Sequence, residues 1–417
     1  MKKLRFMLII SLLIIGSIAL SGCTAETDST GLVGAAGPPG PMGPAGPQGE
    51  TGPPATALTF SAEYAGSRIC SGCHTDISAT FGDTGHAWGL SPIKDSLPPD
   101  YPFTQVFVPP DGYNWEDISF VIGGYNWKAL FVDQQGYLIT AAPDAADDAD
   151  NAEYLNQYNF ANSYADKRAG WVSYHAGEAE LPFDCGACHT TGYSPKGNQN
   201  DQPGFVGTWS EAGIQCEACH GPGSLHAKNP EGFQMLVDRD AEACGECHVR
   251  GVVEEVDAEA GFIQHHEQFE ELFQSKHIAL DCVLCHDPHT GVVQLRQRDQ
   301  QTTRTQCEDC HFMEARFQNN ARHAEINFDC VECHMPRLVQ SAWANLDLFT
   351  ADIRTHEMAI DPYQVNQFNT DGTLASSQIS LDYACRHCHV EGMVTPLSDA
   401  ELLDAAINYH SRESSSR

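Results

Sequence analysis

CEACHGPGSLH, running from Cys216 to His226, decides how this chain is read. Two cysteines stand three positions apart, a histidine follows the second at once, and a Gly-Pro-Gly stretch leads to another histidine. The pentapeptide recurs: Cys-x-x-Cys-His begins at Cys70, Cys185, Cys216, Cys244, Cys282, Cys307, Cys330 and Cys385. With their partners Cys73, Cys188, Cys219, Cys247, Cys285, Cys310, Cys333 and Cys388, these account for all but one of the 17 cysteines, leaving Cys23. A disulfide framework does not space every pair alike and follow each with histidine. A zinc site built from two such pairs leaves the eight histidines unexplained. Cysteines three positions apart can each bond one vinyl group of a haem, and the next histidine then meets the iron from the same side. The expectation is eight covalently bound haem c groups, with His74, His189, His220, His248, His286, His311, His334 and His389 as proximal ligands.

Nineteen histidines leave eleven for other work. His86 sits in TGHA past the first motif, His226 follows the Gly-Pro-Gly stretch, and His289 lies in CHDPH. His277 and His323 each precede a motif, and His356 ends DIRTH. These six are expected as distal ligands. His265 and His266 open an expected helix, HHEQFEELFQSKH, and one of the two should ligate; spacing leaves open which. His266 and His277, close to three turns apart on that helix, would share a face about 16 Å apart and serve different irons. His175 and His410 are further candidates in less telling settings. His387, between the paired cysteines of the last motif, is expected to meet a propionate or the surface. Histidine on both sides would leave no open iron face, so no catalytic residue is assigned. None of the 8 methionines has the setting of a sixth ligand.

After the expected leader the chain offers about 50 residues per motif, too few to bury each haem in its own pocket. The expected fold is therefore mainly α with much irregular structure: short helices and loops around a stacked haem chain, and little regular sheet after residue 185. Ser119 to Ala141 is the exception. SFVIGGYNWKALFVDQQGYLITA is rich in β-branched and aromatic residues, with a turn at Asp133-Gln134-Gln135-Gly136. It predicts a small antiparallel β insertion near residues 104–141, within a haem-free insertion over 95–180 of a cytochrome domain spanning 60–410. The acidic run DAADDAD, Asp144 to Asp150, reads as a solvated loop.

The front of the chain reads as an address. Lys2, Lys3 and Arg5 precede an apolar run from Met7 to Leu20, too short to span a bilayer, so residues 1–22 are expected to be a signal peptide. Leu20-Ser21-Gly22-Cys23 resembles a bacterial lipobox, which implies cleavage before Cys23 and lipidation of its thiol. Thr24 at the next position implies sorting to the outer membrane. A lipidated stretch over 23–30 leads to a collagen-like Gly-X-Y stalk over 31–54, with glycine at every third position from Gly31 to Gly52. Only glycine fits the axis of a triple helix, so one reading is a homotrimer; the other is an extended spacer. The formal charge of −33 disfavours nucleic acid and anionic surfaces.

CEACHGPGSLH, the CHDPH and CHMP sites, TGHA near the first motif and DIRTH near the last resemble a multihaem superfamily. It includes the octahaem hydroxylamine oxidoreductases and the tetrahaem electron-acceptor cytochromes of nitrifying bacteria. FVIGGYNWKALFVD and FIQHHEQFEEL resemble segments of multihaem cytochromes in metal- and sulfur-respiring bacteria. The resemblance spans roughly residues 64 to 395. It implies an electron carrier whose partners are other redox proteins or an extracellular electron acceptor. The alternatives are a reductase of a small nitrogen or sulfur oxyanion with one open haem, and a subunit of a conductive filament. The Cys-x-x-Cys-Lys site of ammonia-forming nitrite reductases is absent from the sequence. Acyl chains contribute about 0.8 kcal/mol per buried methylene. Cys23→Ala is therefore expected to move the protein from the membrane pellet to the soluble fraction, as read by haem staining of both.

Overall fold

The computed structural model describes residues 61–143, 153–318, 323 and 328–411. The expected leader, Cys23, the Gly-X-Y repeat and the acidic run from Asp144 to Asp150 lie outside the described residues.

Two short hydrophobic segments, Ile118–Gly123 and Lys128–Asp133, build the first sheet. As β2 and β3 they pair antiparallel, with Val121 opposite Phe131 and Ile122 opposite Leu130. Successive side chains leave a strand on opposite faces. Ala129 and Phe131 enter one apolar cluster with Ile118, Val121 and Ile139, while Val132 enters another with Leu90, Ile122, Phe183 and Phe205. Both faces are thus covered, which explains why these strands are nearly continuous in apolar residues rather than alternating. Gly123 closes β2 at φ 71°, where a Cβ would lie 2.6 Å from the Lys128 carbonyl oxygen. The turn expected at Asp133–Gly136 forms, with the Gly136 N–H donating to the Asp133 carbonyl at 3.3 Å.

The sheet is larger than the predicted hairpin. Leu90–Pro92 (β1) adds to β2, Gln157–Asn159 (β4) adds to β3, and Gly170–Val172 (β5) completes an antiparallel order β1-β2-β3-β4-β5. The expected boundaries of 104–141 therefore widen to 90–172. A lone hairpin is marginal in water and needs further strands along its edges. Strands of three residues carry too few positions to show a period, which hid them in the sequence.

The expectation of little sheet after residue 185 is corrected. Thr190–Thr191 (β6) pairs with Glu211–Ala212 (β7). Ala258–Glu259 (β8), Phe262–Gln264 (β9), Val339–Asn345 (β10) and Thr350–Ile353 (β11) form a four-stranded sheet in the order β11-β10-β9-β8. The β9 and β10 pair is parallel, joining segments far apart in the chain. Between Val339 and Ala344 the register of β10 against β11 shifts. That bulge frees three backbone N–H groups, and the buried Asp352 carboxylate accepts all three, from Ser341 and Ala342 at 2.7 Å and Trp343 at 2.9 Å. The same bulge docks on the first sheet. Lys128 Nζ donates to the Ser341 carbonyl at 2.8 Å, Asn159 Nδ2 to Ala342 at 3.1 Å and Trp343 Nε1 to Phe160 at 2.7 Å.

Helices are short. The described α-helices run from four residues, as at Gly186–His189, to ten at Asp399–Asn408. The expectation of a mainly α fold therefore holds only in part: short helices and irregular segments accompany two larger sheets and a two-stranded one. The helix expected over HHEQFEELFQSKH is confined to Gln268–Gln274. His266 takes a positive φ of 83°, which ends helical geometry before the first turn, and Ser275 at the other end is extended.

Phe131 is 1 % exposed, against Trp115 and Trp171 at centroid distances of 6.2 and 5.6 Å. Phe131→Ala is expected to cost about 3–5 kcal/mol, as for other large-to-small changes in a core. Denaturant unfolding monitored by tryptophan fluorescence would measure it.

Candidate haem sites

Each Cys-x-x-Cys-His unit lies on, or at the end of, one helical turn. The histidine N–H donates to the carbonyl of the first cysteine four positions back, at 2.9 Å for His74, 3.1 Å for His189 and 2.8 Å for His311. In a helical turn, positions i, i+3 and i+4 share one face. The backbone therefore delivers both thiols and the imidazole to the same side. None of the sixteen described cysteines is in a disulfide. All sixteen line one continuous cavity of about 4520 Å³, several times the roughly 300–1,000 Å³ of a single small-molecule pocket.

Across that cavity every motif histidine faces a second one. The ring-centroid pairs are His74 with His226 (6.3 Å), His248 with His86 (6.1 Å), His189 with His266 (6.3 Å) and His220 with His289 (6.2 Å). They continue with His311 and His277 (5.8 Å), His286 and His356 (6.2 Å), His389 and His323 (6.1 Å), and His334 and His410 (6.2 Å). Two imidazoles sharing one metal at bonds of about 2 Å, with the ring radius added on each side, stand about 6 Å apart. The donor sets fit an axially ligated iron.

Burial favours the neutral form, whose lone pair binds metal, at several of these rings. It lowers His86 and His286 to about 4 and His266 to about 3, with neighbouring histidines adding to the effect. The second ring nitrogen is anchored in many sites. Nδ1 meets the carbonyl oxygen of Gly89 from His189 at 2.9 Å, of Phe233 from His226 at 2.7 Å and of Met358 from His334 at 2.8 Å. Thr395 serves His389 and Glu314 serves His410, both at 3.0 Å. With Nδ1–H donated, Nε2 is left as the acceptor nitrogen.

The structure separates the candidates that spacing left open. His266, rather than His265, faces a motif histidine; His265 adjoins it at 4.3 Å, and burial, followed by the charge of Lys128, lowers it to about 2. His410 faces His334 from just beyond helix Asp399–Asn408, whose Ser398 cap accepts from the Glu401 N–H. That capping box was the local signal that could have raised His410 above His175. His175 is exposed, its Nδ1 2.8 Å from Glu178 Oε1, and makes no ring pair with a motif histidine. His387 Nδ1 lies 3.2 Å from the Tyr383 carbonyl oxygen.

The motifs also form a spatial sequence. Cys70 lies near Cys216, Cys219 near Cys244, Cys244 near Cys282, Cys285 near Cys310, Cys307 near Cys330 and Cys333 near Cys385. The second motif joins at the fourth, through Cys188 and Cys247. The order is first, third, fourth, fifth, sixth, seventh, eighth, with the second branching from the fourth.

Residues 151–221, spanning the second and third motifs, match the family model described as cytochrome c554 and c-prime. No curated protein matches the sequence. Among solved structures, the fold is similar to that of the outer cell wall cytochrome OcwA, with a TM-score of 0.51 and 19% identity over 82% of this chain and 86% of that one. It is also similar to the Wolinella succinogenes octahaem sulfite reductase MccA, with a TM-score of 0.53 and 16% identity over 85% of this chain and 68% of that one. The matched segment is thus similar to a cytochrome c family, and the fold is similar to that of solved cytochromes, one of them octahaem.

Glu217, inside the third motif, is 2 % exposed and accepts the N–H groups of Ala65 and Gly66, each at 2.8 Å, and of Gly223 at 2.6 Å. It clamps the lead of the first motif to the third. Glu217→Ala strands these donors and is expected to cost about 1–3 kcal/mol, seen as a lower thermal unfolding midpoint at unchanged haem content.

Proposed function

We propose that this chain is an exported, lipid-anchored octahaem electron carrier in which all eight irons have histidine on both faces. The observation that carries the reading is the set of eight ring pairs at 5.8–6.3 Å. Haem c supplies one-electron chemistry when bound. The chain's own residues would fix the axial ligands, order the sites and exclude water. The proximal ligands are the eight motif histidines. The distal ligands are His226, His266, His289, His86, His356, His277, His410 and His323, for the first to eighth motifs in turn. The succession of neighbouring motifs supports a relay that enters or leaves at the first, second and eighth sites. A narrower kinship with hydroxylamine oxidoreductases and the tetrahaem cytochromes of nitrifying bacteria rests on CEACHGPGSLH, CHDPH and DIRTH.

Anchoring rests on Cys23 and its lipobox, and the Gly-X-Y repeat would set the domain away from the outer membrane, as a spacer or within a homotrimer. The partners are redox proteins or an extracellular acceptor. An oxyanion reductase would need an iron face without a histidine, and every motif histidine here has a facing ring. A haem-to-protein ratio of eight, with low-spin electron paramagnetic resonance signals alone in the oxidised protein, is the expected result. A strong high-spin signal from an intact sample would sink the proposal. His410→Ala should convert one haem in eight to high spin, whereas His175→Ala should leave the spectrum unchanged.

A further inference from the structure

With every iron held between two histidines, as proposed above, sites differ in what the second ring nitrogen faces. Carbonyl oxygens serve five of them, Gln268 Oε1 faces His248 at 3.2 Å, and the Tyr409 hydroxyl faces His323 at 3.2 Å. Among the described residues, carboxylates face three. Asp287 lies 3.3 Å from His289 Nδ1 and Glu314 lies 3.9 Å from His311 Nδ1, but both pairs are more than a third exposed on average, and water screens them. Glu271 differs. Its side chain is 0% exposed and its Oε2 lies 3.5 Å from His356 Nδ1, which is itself buried with no hydrogen-bond partner. Two bonds hold the carboxylate there: Oε1 accepts from Thr355 Oγ1 at 2.7 Å and Oε2 from the His356 N–H at 2.9 Å. The group is fixed by the same short segment whose ring it faces.

We infer that Glu271 is a positioning and potential-setting residue that makes the His286–His356 site the low-potential step of the relay. A carboxylate charge 3.5 Å from the ring of an axial ligand, in a water-poor interior, favours the ferric over the ferrous state and so lowers the reduction potential. The fifth motif, which carries His286, lies between the fourth and sixth in the spatial sequence. A low step there would separate the branched end of the relay, near the second and fourth motifs, from the arm leading to the eighth.

The test is a potentiometric titration of the full-length, haem-loaded protein, followed by Soret absorbance and by low-temperature electron paramagnetic resonance. Glu271→Gln keeps the shape and removes the charge; one component's midpoint should rise while the others hold. Thr355→Val removes a hydroxyl dipole that offsets the carboxylate's charge, and the same component should fall. Asp287→Asn, at the screened pair, should shift its component less than Glu271→Gln does. Unchanged midpoints in Glu271→Gln at full haem content, or shifts of the same sign in both variants, would overturn the inference. Should Glu271→Gln fail to retain haem, the Thr355→Val titration decides alone: a fall supports the inference, and a rise or no change overturns it. A high-spin signal in the parent protein would instead overturn the bis-histidine reading on which the inference rests.

Discussion

Eight histidine pairs stand 5.8–6.3 Å apart, the spacing that two imidazoles on one metal would need, and this constraint runs through the described structure. One ring of each pair is supplied locally, because the helical turn of Cys-x-x-Cys-His puts thiols and histidine on a single face. The other ring has to be brought in. His86 meets His248 and His74 meets His226, so the beginning of the domain is folded over its middle. His410 and His323 close over the seventh and eighth motifs in the same way. Each pair is a long-range tie in a chain whose helices are too short to be stable in isolation.

The two sheets give these ties something rigid to start from. The first covers both faces with aromatic and aliphatic side chains, and the β10 bulge of the second locks onto it through Lys128, Asn159 and Trp343. Elsewhere the backbone is irregular, and buried carboxylates take over the role that strand neighbours play in regular structure. Asp352 accepts from three N–H groups at the bulge, Glu270 from Arg250 and Gly251, and Glu217 from both sides of a junction between motifs. A buried backbone donor left without an acceptor costs about as much as a lost hydrogen bond. These acidic side chains are therefore structural, and they account for part of the strongly negative composition.

Burial also acts on a neighbouring carboxyl. Glu357, with both oxygens lacking hydrogen bonds, is pushed up to about 9 by burial first and by the charge of Glu271 second. Glu271 instead accepts from two donors, Thr355 Oγ1 and the His356 N–H.

The motifs themselves were legible because thioether chemistry demands a fixed local spacing, and local spacing is written in sequence. Six of the histidines that face a motif ring stand beside a motif or a sharp turn in the sequence, such as His226 after Gly221-Pro222-Gly223 and His289 three residues beyond His286. The hairpin at Ile118–Asp133 was legible from its run of β-branched and aromatic residues. The choice of His266 over His265 was not, because it turns on one backbone angle, a φ of 83° that aims one ring at His189 and leaves the other beside it. Nor was the second sheet, whose parallel β9–β10 pair joins Ile263 to Val339. The order of the motifs in space, and the placing of Glu271 against His356, belong to the tertiary structure as well. Sequence determined what each short segment can bond, since that chemistry is confined to a few adjacent residues. Which segments meet was decided only by the packing of sheets and loops, since each contact there joins residues far apart in the chain.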